Sequence, residues 1–191
     1  DRIRIFKEQD ENGIVIFKKY KNIFGQEAYQ NKAISQTYEP GSIFKIITMA
    51  SALDDGDVKP STTFNDPGSL QLDFDPSTKK FDYEIKNVSA KCVGTVNMAW
   101  IIQNSCNTGI AQVAKKMGRN LFYNYMHKFG FGERTEIEFD NESPGKIEPF
   151  EKWTDSELAT HAFGQGITVT PLQMASAYSA VANKGVLMQP Y

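Results

Sequence analysis

At 191 residues the chain has the length of one domain or part of a larger one, and 40% hydrophobic with 12% aromatic residues can fill a core. A net charge of −2, with Lys and Arg scattered, gives no basic footprint for nucleic acid and no polybasic block for a membrane surface. Apolar runs fall far short of the ~20 residues that cross a bilayer, no signal peptide opens the chain, and two histidines argue against a His-rich metal site.

Residues 1–34 read as strand and loop. Ile3-Arg4-Ile5-Phe6 alternates weakly, Asp10-Glu11-Asn12-Gly13 signals a turn, and Ile14-Val15-Ile16-Phe17 is a β-type run, so the pair suggests a hairpin. No start signal precedes it, which suggests a chain that begins inside a larger polypeptide. Tyr38-Glu39-Pro40-Gly41-Ser42-Ile43-Phe44-Lys45 then opens a helix over 42–54. Pro40 discourages helix before it, and Asp54-Asp55-Gly56 ends it. Ser42 falls at the helix start beside unpaired N–H groups, and Lys45 shares its face one turn on. A serine is a weak nucleophile until a base takes its proton, and a lysine kept neutral by burial is such a base.

Spacing alone proves little, since Ser42/Lys45, Ser77/Lys80 and Ser143/Lys146 all share it. Ser77 lies in a polar turn and Ser143 precedes Pro144-Gly145, whereas Ser42 opens an apolar helix. Taken by itself, the Ser42 pair also fits a capping serine with a solvated lysine.

Residues 57–94 carry turn residues between short alternating stretches, Leu70-Gln71-Leu72 and Phe81 to Ile85, which predict short surface strands. Residues 95–130 predict a helical lobe. Gly94 to Gln103 reads as a helix start and helix, Ser105-Cys106-Asn107 interrupts it, Thr108–Met117 is a second helix, and Asn120 caps a third that ends at Gly130. Thr135-Glu136-Ile137-Glu138-Phe139 alternates like a strand. Residues 163–184 predict a Gly164-Gln165-Gly166 turn and a helix with Pro171 in its first turn. Val186 to Tyr191 looks like the start of a strand. Cys92 and Cys106 form no metal pattern or disulfide framework, and a single bridge between them stays open. His161 keeps a Ser-His-Asp arrangement as a minor alternative.

Ser105-x-Asn107 falls between two helices, where a short loop pushes polar groups into a cleft. Its hydroxyl can pass a proton, and its amide can hold both a lysine and a substrate amide. An Asn cap at the second helix is the plain structural alternative. Ser-x-x-Lys followed by Ser-x-Asn belongs to the motif set of serine β-lactamases and penicillin-binding proteins. Four stretches carry the resemblance: Thr37–Ile47, Gly94-Thr95-Val96, Asn104–Thr108 and Phe163–Met174. In their order and spacing they resemble the transpeptidase domain of class B penicillin-binding proteins, with a partial domain over 1–191.

The resemblance implies an α+β, β-lactamase/D,D-transpeptidase-like fold, a sheet flanked by helices with an all-α lobe and C-terminal strands missing. It implies a peptidoglycan D,D-transpeptidase that binds penicillin covalently and uses no cofactor or metal. Ser42 would attack a D-Ala-D-Ala stem peptide with Lys45 as base, and the Ser42 N–H would form half of an oxyanion hole. Ser105 would relay the proton, Asn107 would fix Lys45 and substrate, and Gly164, Gln165 and Gly166 would contact substrate. Its other implied partners are β-lactam antibiotics and cell-wall elongation or division proteins. An upstream anchor would hold the domain on the outer face of the cytoplasmic membrane. A β-lactamase or D,D-carboxypeptidase, or a non-catalytic β-lactam-binding sensor or inactive homologue, are the alternatives. The family's Lys-Thr/Ser-Gly motif is missing, because Lys128-Phe129-Gly130 lacks the hydroxyl. The expectation is therefore a fragment that alone catalyses little.

Overall fold

The computed structural model describes residues 3–9, 11–21 and 30–191. They fall into two compact units, Asp1–Asn31 and Lys32–Tyr191. In the first, β1 (Ile3–Gln9) and β2 (Val15–Lys21) form the expected antiparallel hairpin, with Gln9 opposite Val15. Asp10 of the expected turn, and residues 22–29 of the strand-and-loop segment, lie outside the described residues.

The second unit is α+β. After the short α1 (Lys32–Ser35), a 3-10 turn, Gly41–Phe44, runs into α2 (Lys45–Asp55), which ends on Gly56 at φ 87°. That φ is left-handed, a conformation glycine adopts without Cβ strain. Ile47, Met49 and Ala52 of α2 are buried, and α2 packs against α4 (Asn107–Met117), α5 (Arg119–Lys128) and α7 (Pro171–Ala182). Phe44 and Phe131, both fully buried, meet with ring centroids 5.0 Å apart. Burying an aromatic of this size contributes on the order of 2 kcal/mol. The Gly41–Phe44 turn is thus seated directly on the core.

Among the described residues of this unit the strands pair two by two. β3 (Thr63–Asp66) pairs antiparallel with β6 (Gly94–Asn97), and β4 (Ser69–Asp75) with β5 (Lys80–Lys86). Leu72 and Ile85 anchor the β4–β5 hairpin in the core. The predicted helical lobe forms as α3 (Met98–Gln103), α4 and α5, and α6 (Asp155–His161) packs on α4.

Four local expectations differ from the structure. Asn120 lies inside α5 rather than before it, with Gly118 at the cap position. Residues 94–97 are a strand rather than a helix start, because they pair with Thr63–Asp66, a partner too distant in sequence for local pattern to reveal. The alternating run 135–139 is not a strand. Glu142 instead accepts from Thr135 N, Thr135 Oγ1 and Glu136 N, at 2.8, 2.6 and 3.1 Å, and gives those groups a local partner in place of a ladder. Val186–Tyr191 carries no strand pairing.

Candidate active site

Ser42 sits in the 3-10 turn rather than at a side-chain cap, and its carbonyl accepts the backbone N–H of Lys45. That bond fixes the two side chains one turn apart. The turn is held from several directions, mainly by bonds to its backbone. Gly41 N donates to Gly164 O at 2.9 Å, Tyr38 and Val169 exchange both backbone bonds at 3.0 Å, and Tyr178 Oη donates to Ile43 O at 2.7 Å. Gly166 N donates to the Glu39 carboxylate at 3.0 Å. Gly164 packs so closely that an added Cβ would lie 2.4 Å from Gly41 O and 2.8 Å from Phe44 Cβ. Glycine at 164 is therefore a packing requirement of the nucleophile turn.

The Lys45 side chain is 2% exposed and reaches across to the Ser105 loop. Its Nζ donates to Ser105 O at 2.7 Å, Ser105 Oγ at 2.8 Å and Asn107 Oδ1 at 2.7 Å. An ammonium has three protons, and all three are spent here. Burial lowers the Lys45 pKa from 10.5 to about 8. A fraction of the amine is thus neutral near physiological pH, with a lone pair free to take a proton.

The opposite wall is the loop Ser105–Asn107. Ser105 adopts φ 54°, a left-handed conformation that costs a non-glycine residue roughly 1–3 kcal/mol. Three groups hold it there. Lys45 grips its carbonyl and hydroxyl, and Cys106 between Ser105 and Asn107 forms a disulfide with Cys92, Cα atoms 5.5 Å apart. Asn107 Nδ2 donates to Lys86 O at 3.0 Å, which ties the loop to β5. Behind it runs a buried polar cluster. Asp66 Oδ1 accepts from Thr108 Oγ1 at 2.5 Å, Asn87 Nδ2 at 2.9 Å and Gly68 N at 2.8 Å. Asn87 Oδ1 accepts from Thr108 N at 3.1 Å. The strand pair and the start of α4 are therefore locked together next to Asn107.

Ser42, Ser105 and Asn107 line one open groove of about 570 Å³, with Gln165 and Phe163 on one side and Tyr83 to Lys86 of β5 on the other. Of the residues singled out from sequence, Ser42, Lys45, Ser105, Asn107 and Gln165 come together here. Gly164 and Gly166 meet the nucleophile segment through their backbones. His161 is buried, bonded to Gly166 O and packed at a tilt against Trp153, so it is not arranged as a triad partner of Ser42. Sequence reading missed the β5 wall, the Asp66–Asn87–Thr108 cluster and Glu39. Only Glu39 had a signal, its place in the Tyr-Glu-Pro-Gly-Ser run. Among the described residues no group of His, Cys, Asp and Glu is placed to hold a metal ion.

Comparison with known proteins shows a family for the chain. Residues 6–191 match the family described as the penicillin binding protein transpeptidase domain. Stage V sporulation protein D of Bacillus subtilis is 34% identical over 177 residues, 90% of this chain and 26% of the relative. Peptidoglycan D,D-transpeptidase FtsI of Escherichia coli is 29% identical over 84% of this chain and 26% of its own length. Penicillin binding protein 3 of Mycobacterium tuberculosis, solved with aztreonam, superposes with TM-score 0.73 at 30% identity, over 84% of this chain and 34% of that one. The chain spans about a quarter of the length of these curated relatives. The chain belongs to the penicillin-binding protein transpeptidase-domain family.

Proposed function

We propose that the protein is a serine-type peptidoglycan D,D-transpeptidase that joins stem peptides through an acyl-serine. The observation that carries this reading is Lys45, bonded to Ser105 and Asn107 and one turn from Ser42. The names of relatives support it too, FtsI of Escherichia coli being a peptidoglycan D,D-transpeptidase.

In the acylation step the neutral Lys45 amine takes the Ser42 proton as Oγ bonds to the penultimate D-Ala carbonyl carbon. The oxyanion is met by the Ser42 N–H, which in the first helical turn has no intrahelical acceptor. As the C–N bond breaks, the proton passes from Lys45 through Ser105 Oγ to the departing D-Ala amine. The 2.8 Å Lys45–Ser105 bond is the path for that transfer. An amine from a second stem peptide then attacks the ester carbon and gives its proton to Lys45, which returns it to Ser42 Oγ as the ester C–O bond breaks, restoring the hydroxyl and the neutral amine. Asn107 holds Lys45 while its amide N–H group ties to β5, and Gln165 faces the substrate from the Gly-Gln-Gly turn.

β-Lactams would acylate the same hydroxyl, in keeping with the relative solved with aztreonam. The Cys92–Cys106 disulfide suits an oxidising compartment, which supports a domain on the outer face of the cytoplasmic membrane; there it would work with elongation or division proteins, as the family resemblance implies. No helix among the described residues is long and apolar enough to cross a membrane, so an anchor would lie elsewhere. Labelling with a fluorescent penicillin tests the reading. The intact protein is expected to take a stable covalent label that Ser42→Ala abolishes. Label that persists in Ser42→Ala overturns the nucleophile, and label released within seconds reassigns the protein to penicillin hydrolysis.

A further inference from the structure

His161 is the last residue of α6, and it is 2% exposed. Its Nε2 lies 3.2 Å from Gly166 O. A carbonyl only accepts, so the ring proton must sit on Nε2 for this bond to exist. Burial lowers the His161 pKa, which leaves the ring neutral with a single N–H. Nδ1 is then a bare lone pair, buried and without a partner among the described residues. A side chain that merely filled this space would do better without nitrogen, since a buried unpaired polar atom is costly. The ring's one donor is spent wholly on Gly166.

The ring is also fixed in place. It packs against Trp153 in a tilted contact with centroids 4.5 Å apart, and Trp153 is itself pinned by Nε1 donating to Glu148 O at 2.8 Å. The turn above it is clamped at successive residues. Gly164 O accepts from Gly41 N, Gln165 N donates to Thr160 O at 3.1 Å, and Gly166 N donates to Glu39 Oε1. A Cβ on Gly166 would lie 3.1 Å from His161 Nε2, so glycine there lets ring and backbone approach. Glu39 takes the Gly166 N–H from the nucleophile side, and His161 takes the Gly166 carbonyl from the α6 side. Between these clamps Gln165 is exposed and lines the groove beside Ser42 and Ser105.

We infer that His161 is a positioning residue, whose Nε2–H bond to the Gly166 carbonyl sets the Gly-Gln-Gly turn and so presents Gln165 to substrate in the catalytic groove. The inference rests on the transpeptidase reading of that groove. Two replacements separate the donor from the bulk. His161→Gln places an amide N–H close to the position of Nε2, whereas His161→Leu keeps apolar volume and removes the donor.

The experiment is the second-order rate of acylation by a fluorescent penicillin, with thermal unfolding measured on each intact variant. His161→Leu is expected to slow acylation by about five- to tenfold, the loss of one neutral hydrogen bond. His161→Gln is expected to stay within about threefold of wild type. Equal losses in both variants, or full rates in both, overturn the inference. Should either variant fail to fold, the ring's tautomer in the wild-type protein, read from its two 15N shifts, decides. A proton on Nε2 upholds the inference, and a proton on Nδ1 removes it. Wild-type protein that takes no label overturns the transpeptidase reading instead, so the two failures are distinct.

Discussion

The two walls of the groove are held by different means. The Ser42 side is a short turn fixed by backbone hydrogen bonds and by a glycine pressed against it. The Ser105 side is a strained loop fixed by a disulfide and by a buried cluster of polar side chains. Backbone and glycine contacts leave few degrees of freedom, which suits a nucleophile whose attack angle matters. The Ser105–Asn107 loop lines the groove while its side chains are engaged by Lys45 and the Lys86 carbonyl, and it is clamped from behind. Lys45 joins the two walls, and its burial lowers its pKa to about 8.

The largest effect should come from removing that joint. Lys45→Arg keeps a charge and donors but no longer yields a free base, and acylation is expected to fall by about 10²–10⁴. The wild-type acylation rate should rise with pH up to about 8 and then level, as the neutral amine becomes the main form. Stability shares the direction. An unfolded lysine titrates near 10.5, so between about 8 and 10.5 the unfolded chain holds the extra proton and rising pH favours folding. Below about 8 both states are charged and the penalty is constant. A pH–rate profile with no inflection near 8 would remove Lys45 as the base.

Breaking one wall at a time comes next. Gly164→Ala drives a Cβ into Gly41 and Phe44, so the turn must shift. Acylation is expected to drop by about a hundredfold, in line with the cost of misplacing a reacting group by an ångström. Reducing the Cys92–Cys106 bridge acts on the other wall. It frees a loop that spans a sequence separation of 14, worth about 3 kcal/mol in chain entropy. The melting temperature should fall on reduction and recover on reoxidation, and acylation should slow by about tenfold as Ser105 leaves its left-handed conformation. A reduced protein that acylates at full rate would show that Lys45 and the Asp66–Asn87–Thr108 cluster hold this wall unaided.

How far each wall was legible in the sequence follows from what holds it. The two segments that meet at the Ser42 wall lie far apart in the chain, but each carries its own turn residues, so Pro40-Gly41-Ser42 and Gly164-Gln165-Gly166 were each marked locally. The 95–130 helices were readable for the same reason, being local patterns ended by Gly118 and Gly130, whereas the α+β class was an implication of the family resemblance. On the Ser105 wall, Ser-x-Asn was visible but its support was not. Asp66, Asn87 and Thr108 are ordinary polar residues far apart in the chain, and nothing local says that they meet. The Cys92–Cys106 pairing was open for the same reason. Thr135–Phe139 misled in the opposite way, since its alternation was real but Glu142 capped the backbone groups a strand would have paired.

The mildest test lies on the Ser42 side. Tyr178→Phe deletes the hydroxyl that donates to Ile43 O and leaves the ring of α7 in place. If the turn is held mainly by its glycines and backbone, this single neutral bond at a partly exposed site should matter little. The expected loss is at most about 1 kcal/mol of stability, read as a small fall in melting temperature, with acylation within about threefold of wild type. A loss approaching that of Gly164→Ala would mean that α7, through one phenol, fixes the nucleophile as firmly as the Gly-Gln-Gly turn does. The contrast between a backbone-held wall and a side-chain-held wall would then no longer stand.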